Sequence, residues 1–276
     1  KRQMGELQDR RALVTGGGRG IGRDIALALA AAGADVAVLA RTRDEVERVA
    51  AEIAATGSRS LALTADQANP QAVDSAVACI DAAWGGVDIL VNNAGVLGPV
   101  GRSHEVDPEA WLETLRINAG GCFLCCRAVL PGMIARGHGR IINLSGGGAV
   151  SPRPRFSAYG ASKAAIVRFT ETLAEEVAEH GVQVNAISPG AVNTRMTEQA
   201  AAAGARAGAE SEAASRQLDE GGASGQHAAE LVVYLASPRS KGLTGRMLAV
   251  GWDNWERMDV QQIMKTQLYT VRRLKP

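Results

Sequence analysis

A chain of 276 residues, 46% apolar and 21% charged, holds enough hydrophobic material for a sizeable core, as one large α/β domain or two small ones. Its net charge of +1 argues against nucleic acid or an anionic membrane as a partner, and no uninterrupted apolar run reads as a bilayer span. The polar start Lys-Arg-Gln-Met-Gly-Glu is no secretory signal, and Cys79, Cys122, Cys125 and Cys126 read as small apolar filling in a reducing compartment, not a metal site, so a cytoplasmic protein is expected.

The first predicted element is a buried strand at 11–15. Gly16, Gly17, Gly18, Arg19, Gly20, Ile21 and Gly22 follow it, and an alanine- and leucine-rich helix then runs to Gly33. Strand, glycine turn and helix start together make a phosphate cradle. Glycine lets the backbone approach a pyrophosphate, and the helix end offers free N–H groups and partial positive charge. A second strand at 35–40 leads into a helix with Val46, Val49 and Ile53 at helical spacing. In NAD enzymes of this kind an acidic residue about 20 positions past the glycines holds the ribose 2′-hydroxyl. That position falls on Ala40 here, with Arg41 beside it and Arg19 in the glycine loop. Charge complementarity therefore favours the 2′-phosphate of NADP(H), with NAD(H) possible, since both arginines also read as solvated surface groups.

A third strand at 60–64 ends near Asp66, and a helix covers about 70–84. The strand at 87–91 runs into Asn92-Asn93-Ala94-Gly95, which is simple turn chemistry but sits where an open parallel sheet binds ligands. A long helical region at about 107–136 contains Asn118 close to Gly120 and Gly121. Such a break in propensity marks a functional site or a kink. The apolar run from Arg140 breaks at Ser145 and three glycines, and the next helix, to about 179, carries Tyr159 and Lys163 one turn apart on one face. A phenol has an ordinary pKa of about 10, and a neighbouring ammonium lowers it toward use as a proton shuttle. Alone, Tyr-x-x-x-Lys is a weak signal.

A sixth strand at 182–188 ends in Pro189-Gly190, with Thr194 beyond. Residues 197–225, rich in alanine, glycine and charge, read either as a lid over a substrate or as an irregular excursion. A helix at 226–236 and a strand near 246–250 complete an alternation that signals a parallel sheet covered on both faces. The C-terminal extension, 251–276, contains Trp252 and Trp255 and ends in Arg272, Arg273 and Lys275. It reads as a tail docked on a neighbouring subunit or the substrate mouth, or as a solvated one.

Five motifs in order, Thr15-Gly16-x-x-x-Gly20-Ile21-Gly22, Asp66, Asn92-Asn93-Ala94-Gly95, Tyr159-x-x-x-Lys163 and Pro189-Gly190, make the chain resemble the short-chain dehydrogenases/reductases over about residues 9–250. The resemblance implies a single α/β domain with a Rossmann-type, doubly wound, seven-stranded parallel sheet. It implies reversible hydride transfer between a nicotinamide cofactor and a secondary alcohol or ketone. Carried over by position, Tyr159 is the general acid/base, Lys163 holds the nicotinamide ribose while lowering the tyrosine's pKa, and Asn118 positions a water that continues the proton path. On the cofactor side stand Gly16, Gly18, Arg19, Gly20, Ile21, Arg41, Asp66 at the adenine, Asn92, Ala94 and Gly95, joined by Tyr159 and Lys163. Ile187, Pro189, Gly190 and Thr194 border the nicotinamide end. The expected partners are a small-molecule alcohol or carbonyl substrate and further copies of the chain, as a tetramer or dimer.

One departure matters. The family places a serine thirteen residues before the tyrosine, and that position is Gly146 here. Ser145 is the expected stand-in, although successive strand residues point to opposite faces, and a backbone N–H or a water is an alternative donor. The missing hydroxyl leaves open a second reading, a cofactor-binding protein with little turnover.

Overall fold

The computed structural model describes residues 5–272. Its strands are β1 (Arg11–Thr15), β2 (Asp35–Ala40), β3 (Ser60–Thr64), β4 (Ile89–Asn92), β5 (Gly139–Leu144), β6 (Val182–Ser188) and β7 (Met247–Ala249). They form one seven-stranded sheet in the order β3-β2-β1-β4-β5-β6-β7, every neighbouring pair parallel. The helices are α1 (Gly20–Ala31), α2 (Arg43–Ala55), α3 (Pro70–Trp84), α4 (Pro108–Leu115), α5 (Gly121–Arg136), α6 (Ser157–Glu176), α7 (Arg195–Ala202), α8 (Ala209–Asp219), α9 (Gly225–Ala236) and α10 (Val260–Met264). This is the Rossmann-type single domain expected from the sequence.

The central strands read as continuous apolar runs because both faces are covered. Within β1, Ala12 and Val14 join one core with Ile25, Leu29, Val49, Leu231 and Leu235, while Leu13 joins the other with Ile80, Val129, Met133 and Ile166. The two-residue period of a strand thus feeds two cores, one under α1, α2 and α9 and the other under α3, α5 and α6. Strand order reverses between β1 and β4, and the crevice at their carboxyl ends is where such sheets take ligands.

Three segments differ from their sequence reading. The helical region near 107–136 is α4 and α5 joined by a π-turn, Arg116–Gly120, that contains Asn118. By length and composition alone Pro108–Arg136 meets the requirement for a bilayer span, with 29 residues and a mean hydropathy of 1.4 in its most apolar stretch. Cys122, Cys125, Cys126, Val129 and Met133 nevertheless face the second core, as in the core helix of a globular domain. Residues 197–225 contain α7 and α8 and are not an irregular excursion.

The extension after β7 docks on its own chain. The Trp255 ring lies 5.2 Å from that of Tyr234 on α9, the Met247 N–H donates to the Tyr269 carbonyl at 2.8 Å, and Arg272 pairs with Glu171 of α6 at 2.6 Å. Arg273 and Lys275 lie outside the described residues.

At the opposite end of the sheet Asp88, 3% exposed, locks β1 to β4. Arg11 grips it through Nε and Nη2 at 2.7 Å each, and the Arg11 backbone N–H donates to it at 3.1 Å. Burial alone would push the Asp88 carboxyl up, but the Arg11 bonds outweigh it and hold the group below its ordinary value. Because the folded value is the lower one, this stabilisation is complete above about pH 4 and is lost as pH falls through the folded pKa. We expect Asp88→Asn to cost about 3 kcal/mol in urea unfolding at pH 7 with an unchanged m value, the deficit closing in acid. A deficit that does not depend on pH would contradict this account.

Candidate active site

The crevice is held open by a staple. Thr15, the last residue of β1, accepts the N–H groups of Asn93 and Ala94 on its Oγ1, both at 3.1 Å. Asn93 returns two bonds from Nδ2, to the carbonyls of Thr15 at 2.9 Å and Gly16 at 3.1 Å. The approach leaves no room for side chains. A Cβ on Gly22 would stand 2.2 Å from the Gly16 carbonyl oxygen and 2.4 Å from Asn93 Nδ2.

Gly20 faces the other way, where a Cβ would meet nothing within 4 Å. The first turn of α1 has no side-chain cap and no acidic residue, so its N–H groups are left to an anion. They open into a cleft of about 1030 Å³. Gly16, Gly18, Arg19, Gly20, Ile21, Arg41, Asp66, Ala94, Gly95, Pro189, Gly190 and Thr194 all line it. Arg41 is exposed and has no ion pair among the described residues, while Arg19 Nε lies 3.7 Å from Glu45. An uncapped, acid-free helix end beside exposed arginines fits the phosphates of a dinucleotide.

Two expected cofactor residues are not in the cleft. Asn92 is buried behind it, donating from Nδ2 to Asn143 at 2.9 Å and to Cys126 Sγ at 3.3 Å, and strand alternation gives its place to Asn93. Ile187 is fully buried in the core below Leu144 and Leu248.

The other half of the cleft is built where β5 ends. Tyr159 and Lys163, on the first turns of α6, both line it. Ser145 does not stand opposite the phenol. It is buried, and its hydroxyl donates to the Lys163 carbonyl at 3.3 Å. Gly146 occupies the facing position, where a Cβ would lie 3.2 Å from the Tyr159 hydroxyl. Ser145 also lines the cleft, unlike Asn92, but its hydroxyl is turned to the Lys163 carbonyl and Gly146 stands beside the phenol.

Lys163 Nζ lies 5.6 Å from the Tyr159 ring centre and donates to the Leu144 carbonyl at 2.8 Å. Burial pulls its ammonium down to about 8, against a smaller opposing pull from Cys122. Burial pushes the Tyr159 phenol up, and the charge that opposes it is the Arg153 guanidinium, 5.8 Å from the ring centre. The sequence pattern assigned that tuning to Lys163. Arg153 was missed, and its signal was a cation between two prolines, six residues before the tyrosine.

Asn118, on the π-turn, is buried and does not itself line the cleft. Its Oδ1 accepts the Val96 N–H at 2.8 Å, and its Nδ2 donates to the Val96 carbonyl and to Ser162 Oγ, both at 2.9 Å. Ser162 in turn donates to the Tyr159 carbonyl at 2.7 Å, and together these bonds tie the turn to α6. A Cβ on Gly95 would sit 3.0 Å from Asn118 Oδ1 and 3.8 Å from Lys163 Nζ, so the bare glycine keeps the space between them clear.

Helices α7 and α8 cover this half, packing Ala200, Ala203, Ala207 and Ala214 on Leu97 and Phe156, with Tyr159 at the margin. Trp252, 89% exposed, stands on the rim.

Comparison with known proteins agrees with this architecture. The profile of the family described as short chain dehydrogenase matches residues 10–204. The chain is 37% identical over 253 residues to the short chain dehydrogenase/reductase astE of Aspergillus oryzae, covering 90% of this chain and 95% of that one. It is 40% identical over 198 residues to a short chain dehydrogenase of Pseudocercospora fijiensis, covering 71% of this chain and 64% of that one. The crystal structure of NAD+-bound xylitol dehydrogenase superposes with a TM-score of 0.83 at 29% identity, covering 88% of this chain and 98% of that one.

The depressed Lys163 has a consequence for stability. Between about pH 8 and its ordinary 10.5 the unfolded chain keeps this proton and the folded chain has lost it. Stability contributed by Lys163 therefore rises with pH across that window, by on the order of 3 kcal/mol. We expect Lys163→Met to remove this rise from a series of urea titrations. Identical slopes for the two proteins would contradict the burial of a charged lysine.

Proposed function

Because the chain belongs to the short chain dehydrogenase family, oxidoreductases of alcohol- and ketone-type substrates, we propose that it interconverts a secondary alcohol and a ketone by hydride transfer, with NADP(H) preferred over NAD(H). One observation carries the reading: an uncapped helix end suited to phosphates and a half-buried Tyr159 with a buried Lys163 open into the same cleft. When bound, the nicotinamide supplies or accepts the hydride.

The chain's own residues do the rest. The loop from Gly16 to Gly22 and the first N–H groups of α1 take the pyrophosphate, and Asp66 borders the adenine. Arg41 and Arg19 meet the 2′-phosphate, which Arg41's lack of an ion pair supports. Lys163 holds the ribose hydroxyls, and the Tyr159 phenol passes a proton to or from the substrate oxygen. Asn118 fixes Val96 and borders the space beside Lys163 through which a water continues the proton path. Self-association in the cytoplasm belongs to the same proposal, supported by Leu112 and Phe123, exposed on α4 and α5. Gly146 favours the second reading, a binder with little turnover.

Nicotinamide absorbance, followed with each reduced cofactor and a panel of cyclic diketones, keto-sugars and β-keto esters, separates the two readings. We expect turnover, and binding without any turnover would establish the second. Tyr159→Phe should lower kcat by about 10²–10⁴ while leaving the cofactor dissociation constant within about twofold. Arg41→Ala should weaken NADPH binding by about 10- to 100-fold with little effect on NADH. Tighter binding of NADH than of NADPH by the unaltered protein would overturn the cofactor assignment.

A further inference from the structure

A carbonyl becoming an alkoxide gains from a second hydrogen-bond donor beside the proton donor, and removing one such donor costs other enzymes about 10²–10³ in rate. Gly146 offers no side chain there, and Ser145 spends its hydroxyl on the Lys163 carbonyl. Of the nearby side-chain donors, both Nδ2 protons of Asn118 are on Val96 and Ser162, and Trp111 Nε1 is on Ser157 Oγ, while Lys163 Nζ keeps one proton on the Leu144 carbonyl and in the proposed reaction turns its others to the ribose hydroxyls.

Arg153 differs. It lines the cleft with its guanidinium 4.3 Å from the Phe156 ring centre and 5.8 Å from that of Tyr159. Nε and Nη2 pair with Glu210 of α8, at 2.9 and 2.8 Å, and Nη1 has no acceptor among the described residues. The loop that carries it is over-determined. Pro152 and Pro154 fix φ on either side of Arg153. Arg155 is held at φ +74, an unusual backbone conformation for a branched or long side chain, with its carbonyl accepting the Gly101 N–H at 2.9 Å. Phe156, fully buried, anchors the end. A strained, proline-bracketed loop that holds one cation over the phenol is a placed group, and its partner acid comes from the covering helix.

We propose that Arg153, held by Glu210 and the Pro152–Pro154 bracket, donates through Nη1 to the substrate oxygen in place of the hydroxyl that Gly146 lacks. The inference rests on the proposed alcohol–ketone reaction. Arg153 also favours the Tyr159 phenolate, opposing the burial that pushes the phenol up. The charged and titratable groups around that phenol are Lys163 on its own helix, Arg153 on the preceding loop, Glu210 through Arg153, and Cys122 of α5 beyond Lys163.

The test uses the panel ketone that the unaltered protein reduces fastest with NADPH. Arg153→Met should lower kcat by about 10²-fold, and Arg153→Lys by less. Adding Gly146→Ser to Arg153→Met should recover at least about tenfold, because a serine at that position restores the donor. A readout independent of turnover is the phenolate absorbance of Tyr159, taken as the difference from Tyr159→Phe in each background, with Tyr234 and Tyr269 the other tyrosines. Its midpoint should move to higher pH in Arg153→Met. Turnover of Arg153→Met within threefold of the unaltered protein overturns the inference. So does a loss that Gly146→Ser fails to recover, with thermal unfolding and phenolate midpoint unchanged. An unaltered protein inert on the whole panel sinks the reaction itself, and this inference with it.

Discussion

The approach of two backbones at the carboxyl end of the sheet is the constraint on which this structure turns. Thr15 and Gly16 exchange four hydrogen bonds with Asn93 and Ala94 across the point where strand order reverses, and Gly22 packs so closely beneath them that any side chain would strike the Gly16 carbonyl. That contact fixes where α1 starts and leaves its N–H groups directed into the crevice with no side chain to satisfy them. Phosphate binding is thus prepared by the same glycines that let the fold close, and stability and function are not separable there.

On the far side of the crevice the governing quantity is desolvation. Lys163 and Tyr159 sit in surroundings that favour their neutral forms, since burial pulls the ammonium down to about 8 and pushes the phenol up. Two such groups one helical turn apart do not by themselves make a tuned pair. Their balance depends on which other charges reach them, and the loop before α6 brings Arg153 within 5.8 Å of the Tyr159 ring centre. The small residues around them act by absence. Gly95 clears the space between Asn118 and Lys163, and Gly146 leaves the phenol open to the cleft.

The covering helices are joined to this site through small contacts. Alanines of α7 and α8 meet Leu97 and Phe156, Gln217 donates to Asn193 at 3.0 Å, and Glu210 meets Arg153. Alanine faces bury little apolar area per residue, and the half-exposed ion pair and the amide contact join them in holding the cover.

The sequence by itself determined the alternation of strands and helices, the glycine cradle after β1, and the Tyr159–Lys163 spacing, because each rests on local periodicity or on residues adjacent in the chain. It also carried the gap at Gly146, which a fixed spacing to Tyr159 makes visible. Only the tertiary structure decided which side chains face the crevice: Asn93 in place of Asn92, the Ser145 hydroxyl turned to the Lys163 carbonyl, and Ile187 withdrawn into the core. A strand's two-residue period inverts such assignments with a shift of one position. It alone paired Arg153 with Glu210, 57 residues apart, and turned the alanine-rich segment into two packed helices. Contacts between distant residues follow from packing and have no signature in any local stretch of sequence.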